Sequence, residues 1–324
     1  MPLVALIVDS PWIPGHVGLS TLDYVTAPDV WLEANLTVER EFPDVIFLPG
    51  FWAEVGMATE PSGFGCRVRF FRDSPPAALP VLGAPGDADG IEPPNPRSDG
   101  FLPLLLNFYR RAKPRLADSG QEIKMVAARG PLTVAAHLLG MTAFLEGLKL
   151  QGAATHRLLR LTTSTVKDWL HAQAEAIGGI EGVLVLDDIS GMMGAKDYLE
   201  FAHPYLKEVF DAFPGVIKMF HNDTDNPVPY RFLAELGIHL FNFTHLQPIA
   251  KVREWVGDNI CLVGNVPPLE VLAQGTHEDV KRSAVECLRL HSGRKGLILS
   301  AGGGTSPGTP AANVKALVSA AQSV

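Results

Sequence analysis

Short runs of apolar and β-branched residues recur along the chain, at 45–49, 125–128, 183–186, 217–220, 239–243, 260–263 and 296–300. Between several of them stand segments whose apolar positions return every three to four residues, over 131–146, 195–213 and 276–291. Unbroken apolar runs are what parallel strands covered on both faces require. Their alternation with helices of roughly 10–20 residues is the pattern of βαβ units. Thr276 is placed to cap the helix over 276–291, with Asp279 in its first turn. The segment 1–9 is apolar and reads as one more strand. Seven runs plus this segment predict an α/β chain folded as a (β/α)8 TIM barrel, a single domain over 1–324 with an N-terminal extension. A doubly wound open sheet is the rival. The stretch 83–100, with Pro85, Pro93, Pro94 and Pro96, is too proline-rich for a helix or central strand and predicts an excursion over the surface. No internal repeat or low-complexity tract interrupts the rhythm.

Composition narrows the class. With 324 residues, 47% hydrophobic and 19% charged, the chain can bury a large core and is not disordered. A net charge of −8 argues against nucleic acid as partner. Cys66, Cys261 and Cys287 stand far apart with no CxxC pair, so no disulfide framework is expected and a reducing, cytoplasmic location fits. The segment 1–9 lacks a basic flank and a small-residue cleavage site, which favours a strand over a signal peptide. No run approaches the ~18 apolar residues of a membrane helix, so no membrane partner is expected. Cys261 and Cys287 read as packing residues, and Trp31, Trp52, Trp169 and Trp255 as core or interface. His137, His156, His171 and His203 fall in helical patterns.

The candidate chemistry lies just after the strands, where a barrel carries its active face. Asp187 and Asp188 end one run, His221, Asn222 and Asp223 the next, Asn242, Thr244 and His245 the one after. Asn265 follows the 260–263 run, and Ser300 precedes a glycine-rich segment that opens with Gly302 and Gly303 and closes at Pro310. His221-x-Asp223 places two side chains on one side of an extended segment. Imidazole and carboxylate are zinc ligands, and His245 or Cys66 could be the third that a catalytic zinc needs. A hydrogen-bonded pair lining a pocket is the simpler alternative. Asp187 and Asp188 are adjacent and point to opposite faces, so one of them enters the mouth as a candidate acid or base, the other reading being a turn cap. The glycine-rich segment offers backbone N–H groups to an anion, or a tight turn before a helix starting at Ala311; with no Gly-Lys-Ser/Thr it is no P-loop.

These residues resemble the uroporphyrinogen decarboxylase superfamily, which also holds the cobalamin- and coenzyme M-linked methyltransferases. The resemblance runs from about Tyr24 to the end. It is carried by Gly264-Asn-Val-Pro-Pro268 with the helix start at Gly275-Thr276, Pro204-Tyr-Leu-Lys207, Gly130-Pro-Leu-Thr133, and the closing glycine-rich segment with Asn313. It implies a (β/α)8 barrel with its site at the carboxyl ends of the strands. The decarboxylases proper begin with an arginine-rich loop, whereas residues 1–24 hold no arginine. Their early catalytic Asp matches a stretch, Val45-Ile-Phe-Leu-Pro-Gly50, without a carboxylate; their Tyr falls on His137 and their Ser on Asp188. Uroporphyrinogen is therefore disfavoured as substrate. The methyltransferase branch carries His-x-Cys and a distant Cys on zinc, and His221-Asn-Asp223 looks like that motif with Asp for the first Cys. No Cys stands near Ser300 to Gly302, so harder N/O ligands are implied. Gly56-Met-Ala-Thr-Glu60 through Cys66 also looks like a motif of this branch, which makes Glu60 a pocket residue.

The leading expectation is an enzyme similar to the corrinoid-linked methyltransferases, transferring a methyl group from a small methylated molecule. Asp188, His221, Asp223 and Glu60 are its expected catalytic residues. Zinc is expected on His221, Asp223 and His245, and cobalamin free or on a separate corrinoid protein. His137, Asn242, His245, Asn265, Ser300, Gly302 and Gly303 are expected to touch substrate. A homodimer is expected. The alternatives are a metal-free decarboxylase of a carboxylated heterocycle, with Asp188, His137 and His221 as acid–base groups, and a non-catalytic small-molecule binder.

Overall fold

Eight parallel strands surround one apolar interior. The computed structural model describes residues 3–8, 11–292 and 294–323. The strands are β1 (Ala5–Ile7), β2 (Ile46–Leu48), β5 (Met125–Arg129), β6 (Gly182–Leu186), β7 (Ile217–Asn222), β8 (Leu240–Phe243), β9 (Cys261–Val266) and β10 (Leu297–Ala301). A two-stranded antiparallel ribbon, β3 (Val68–Arg69) and β4 (Ala77–Ala78), stands in the long loop after β2. Of the segment predicted as the first strand, Met1, Pro2 and Asp9 lie outside the described residues.

Strands β5 to β10 form one parallel ladder in sequence order, and β1 pairs with β2. The bridge between Val4 and Leu299 joins β1 to β10. Interior side chains come from all eight: Ala5 and Ile7, Leu48, Met125 and Ala127, Leu184 and Leu186, Met219, Leu240, Val263 and Ile298. Side chains alternate along a strand, so the next inward position toward each carboxyl end forms the row above this apolar interior. Those positions are Arg129, His221, Asn242, Asn265 and Ser300.

The seam between β2 and β5 is closed by side chains. Tyr109 Oη accepts from Ala53 N–H at 3.1 Å and donates to Gln173 Oε1 at 3.1 Å. Gln173 Nε2 donates to Ala127 O at 3.0 Å, and Glu60 Oε1 accepts from Arg129 N–H at 2.9 Å. The free edge of β5 thus finds its partners in glutamine and glutamate, as buried backbone groups must.

The helices cover the strands in a second, larger core. The helix predicted over 131–146 is two, Pro131–Leu139 and Met141–Leu150, turned by 107°. Gly140 between them has φ +86°, a conformation costly to any residue with a Cβ. The helix predicted over 195–213 contains a π-helical turn, Tyr198–Ala202, just before Pro204, which has no N–H to give. Thr276 caps His277–Leu290 in a reciprocal pair with Asp279. The proline-rich stretch holds a single 3-10 turn, Pro85–Ala88, laid against the helix Gly152–Ile177. No single helix among the described residues is long and apolar enough to cross a membrane.

Candidate functional site

The upper row of the barrel brings the polar strand ends together. Arg129, Leu186, His221 and Asn242 are successive cross-strand partners from β5 to β8. His221 and Asn242 both point inward, being two residues beyond Met219 and Leu240. His221 Nδ1 lies 2.7 Å from Asn242 Oδ1. Asn242 Nδ2 donates to Val263 O at 2.8 Å and Ala301 O at 3.0 Å. On the other side of the ring, His221 Nε2 faces Asp188 Oδ1 at 3.8 Å. Asp223 N–H donates to that same Oδ1 at 3.1 Å, tying the loop after β7 to the loop after β6.

Asp188, His221 and Asp223 each offer a ligand atom, and these atoms lie within 4.8 Å of one another. Two ligands each about 2.0–2.2 Å from an ion stand at most about 4.4 Å apart. One imidazole nitrogen and two carboxylates are the donor set of a divalent cation that accepts nitrogen and oxygen, and separations bounded at 4.8 Å need close by no more than about 0.4 Å for all three to reach one ion. Burial pushes the Asp188 carboxyl up; His221 opposes the shift and Asp223 adds to it. Two glycines let the loop after β10 close on this group. A Cβ on Gly303, whose φ is +116°, would lie 2.8 Å from Asp223 Oδ2, and one on Gly302 would lie 2.5 Å from His245 N. Both positions were expected to meet substrate; here they give room to Asp223 and His245.

Beside the cluster, Arg129 is held in a buried charge group. Its Nη2 pairs with Glu54 Oε2 at 2.7 Å, its guanidinium lies 4.3 Å over the Trp52 ring, and its Nε reaches Met57 Sδ at 3.3 Å. Glu60 is 1% exposed, and its Oε2 has no hydrogen-bond partner. Burial pushes the Glu60 carboxyl up to about 7, against the charge of Arg129 and the hydrogen bond from its backbone. The same guanidinium lowers His137, after burial, and opposes the rise of Asp188. Glu54 and Arg129 escaped the sequence reading. The available signal was a charge inside an apolar run, in Phe51-Trp-Ala-Glu-Val55 and Met125-Val-Ala-Ala-Arg129.

The other expected residues divide. Asp187, pointing outward, accepts from Leu132 N–H at 2.9 Å and Thr133 Oγ1 at 3.1 Å, and so caps the helix Pro131–Leu139. Burial pushes its carboxyl up to about 7, while those hydrogen bonds pull it down. Asn242, expected on substrate, is fully buried beside His221. Asn265 Nδ2 donates to Thr244 O at 3.4 Å and Gln247 O at 2.9 Å, so it binds a neighbouring loop. Ser300 Oγ is buried without a hydrogen-bond partner. His245 Nε2 lies 3.9 Å from Glu270 Oε2. Among the described residues the metal-competent group is Asp188 with His221 and Asp223, and neither His245 nor Cys66 belongs to it. Burial pushes the Cys66 thiol up to about 11, away from the thiolate a metal needs.

The sequence model of the family described as uroporphyrinogen decarboxylase (URO-D) matches residues 16–324. The uroporphyrinogen decarboxylase of Chlorobium phaeovibrioides is 31% identical over 171 residues, covering 50% of this chain and 47% of that protein. The chain thus spans about half the length of the first curated relatives it matches. The uroporphyrinogen decarboxylase of Chlorobaculum tepidum is 28% identical over 251 residues, covering 74% of this chain and 69% of that one. Among solved structures, a methyltransferase from Methanosarcina mazei superposes with a TM-score of 0.84 at 20% identity, covering 99% of this chain and 94% of that one. That likeness is one of fold, the (β/α)8 barrel.

Proposed function

Because the chain belongs to the uroporphyrinogen decarboxylase (URO-D) family, we propose that it is a barrel enzyme of that family's methyltransferase kind, acting on a small methylated molecule at the carboxyl ends of the strands. The observation that carries this reading is the cluster of Asp188, His221 and Asp223 within 4.8 Å of one another. The methyltransferase from Methanosarcina mazei, which shares the fold, supports it. His221 Nε2 and a carboxylate oxygen from each of Asp188 and Asp223 would hold a divalent cation, zinc being the first to test. Such a cation supplies Lewis acidity, stabilising negative charge on a heteroatom as its methyl bond forms or breaks.

The chain's own groups do the rest. The Gly302–Gly303 loop packs closely on His245 and Asp223, with no room there for a Cβ. Arg129, fixed by Glu54 and the Trp52 face, holds a positive charge beside the acidic cluster. Glu60, with its carboxyl pushed up to about 7, can keep or release a proton near neutrality. In this reading the methyl acceptor is a corrinoid, free or on a separate protein.

Elemental analysis of untagged protein tests the proposal, with His221→Ala, Asp188→Ala and Asp223→Ala alongside. One zinc per chain in the wild type, lost in all three variants, is the expected result, together with methylation of reduced cobalamin by an O-, N- or S-methyl donor. A wild type that binds no metal when zinc is supplied overturns the cation. A metal-free decarboxylase is the second reading, favoured by the Asp188 carboxyl, raised by burial, 3.8 Å from His221 Nε2. Release of carbon dioxide from a carboxylated heterocycle, insensitive to chelator, would select it.

A further inference from the structure

His221 has two ring nitrogens, and a neutral imidazole carries its proton on one of them. Nε2 faces the Asp188 carboxylate, with a ligand atom of Asp223 within 4.8 Å of the group, and Nδ1 faces Asn242. The side chain of Asn242 decides which nitrogen is protonated. Its one end lies 2.8 Å from Val263 O and 3.0 Å from Ala301 O. Both are carbonyl oxygens, which only accept, so that end must be the amide NH2. The amide oxygen is therefore the atom 2.7 Å from His221 Nδ1, and it requires a donor there. Asn242 is fully buried, so no bulk water competes for either end.

We infer that Asn242 is a positioning residue: anchored on β9 and β10, it locks neutral His221 as the Nδ1–H tautomer and turns the Nε2 lone pair toward the space between Asp188 and Asp223. The role in metal binding rests on the proposed reading of those three residues as ligands; the tautomer does not. The choice of side chain follows the same logic. An ionised aspartate at 242 would set a carboxylate oxygen against two carbonyl oxygens and draw a second proton onto the ring. An imidazolium has no lone pair to give a cation. A leucine would free the ring to take either tautomer.

The test uses the full chain labelled with 15N at histidine and freed of metal, at about pH 8.5, where an ordinary histidine is neutral. Long-range 1H–15N spectra report which ring nitrogen bears the proton. His221→Gln identifies the signal among the ten histidines. The expected wild-type ring is protonated at Nδ1, and zinc chloride shifts its bare Nε2 signal. In Asn242→Leu the pattern moves toward the other tautomer, and zinc affinity falls about 10–100-fold. A wild-type ring protonated at Nε2 overturns the inference, as does an Asn242→Leu protein with unchanged tautomer and zinc affinity. If the variant does not fold, the wild-type spectrum alone decides. A wild-type Nδ1–H ring that binds no zinc overturns the metal reading and leaves the tautomer lock standing.

Discussion

Glu60 shows how one side chain can set a pH dependence for the whole fold. Its carboxyl, raised by burial from 4.5 to about 7, keeps its proton in the folded chain while the unfolded chain releases it. The native state then binds more protons than the unfolded state between those values, so stability falls as pH rises through that window. The contribution is present below about 4.5 and lost above about 7. Glu60→Gln keeps an oxygen for Arg129 N–H and cannot ionise. Wild-type stability relative to this variant should drop by about 2–3 kcal/mol between pH 5 and pH 8, at 1.36 kcal/mol per unit. Urea titrations of both proteins at the two pH values check it, and a constant difference would contradict the burial argument. At this scale the sequence showed His221, Asp188 and Asp223 because each stands where a strand ends. It did not show that Asp188, two positions past an inward Leu186, would complete the group that His245 was expected to join. That closure depends on loop paths that no spacing encodes.

At the scale of elements, the β2–β5 seam is the point where packing replaces a ladder. Tyr109 and Gln173 come from two different helices and join Ala53 N–H to Ala127 O through one buried relay. Gln173→Leu strands the Tyr109 hydroxyl proton and the Ala127 carbonyl, and Tyr109→Phe strands Ala53 N–H. A buried polar group left unsatisfied costs about 1–3 kcal/mol. Each single variant should lose about that much, and the double variant less than the sum, because both break the same relay. Additive losses in urea unfolding would show that the two side chains act separately. The sequence did not delineate either helix. Leu102–Asp118 contains Pro114, and Gly152–Ile177 contains the run Leu161-Thr-Thr-Ser-Thr-Val166, which reads locally as strand. Thr163 and Thr165 donate to the carbonyls four residues back, Leu159 O and Leu161 O, and their burial settles the helix over local propensity. The barrel strands and the Thr276 cap were legible because their signals are local: an apolar run, or a hydroxyl three residues before an acid.

The whole barrel is the unit on which a cation at the mouth would act. Asp188 follows β6, and His221 and Asp223 belong to β7 and its loop. Asn242 carries the constraint across β8 to the backbone of β9 and β10. Five of the eight strands thus converge on one position, which the unfolded chain does not possess. A ligand that binds only the native state adds RT ln(1 + [L]/Kd), about 2.7 kcal/mol at a hundredfold excess over Kd. For a chain of 324 residues the unfolding entropy is near 2.1 cal/mol/K per residue, or about 0.7 kcal/mol/K in all. Zinc at that excess should therefore raise Tm by about 4 °C, and a chelator should reverse it. His221→Ala should show no shift. Gly303→Ala, whose new Cβ would press on Asp223, should show a smaller one at the same zinc concentration. A rise equal in wild type and His221→Ala would mean that zinc binds elsewhere. That result would return the mouth to its other reading, an imidazole and two carboxylates working as acid and base without a metal.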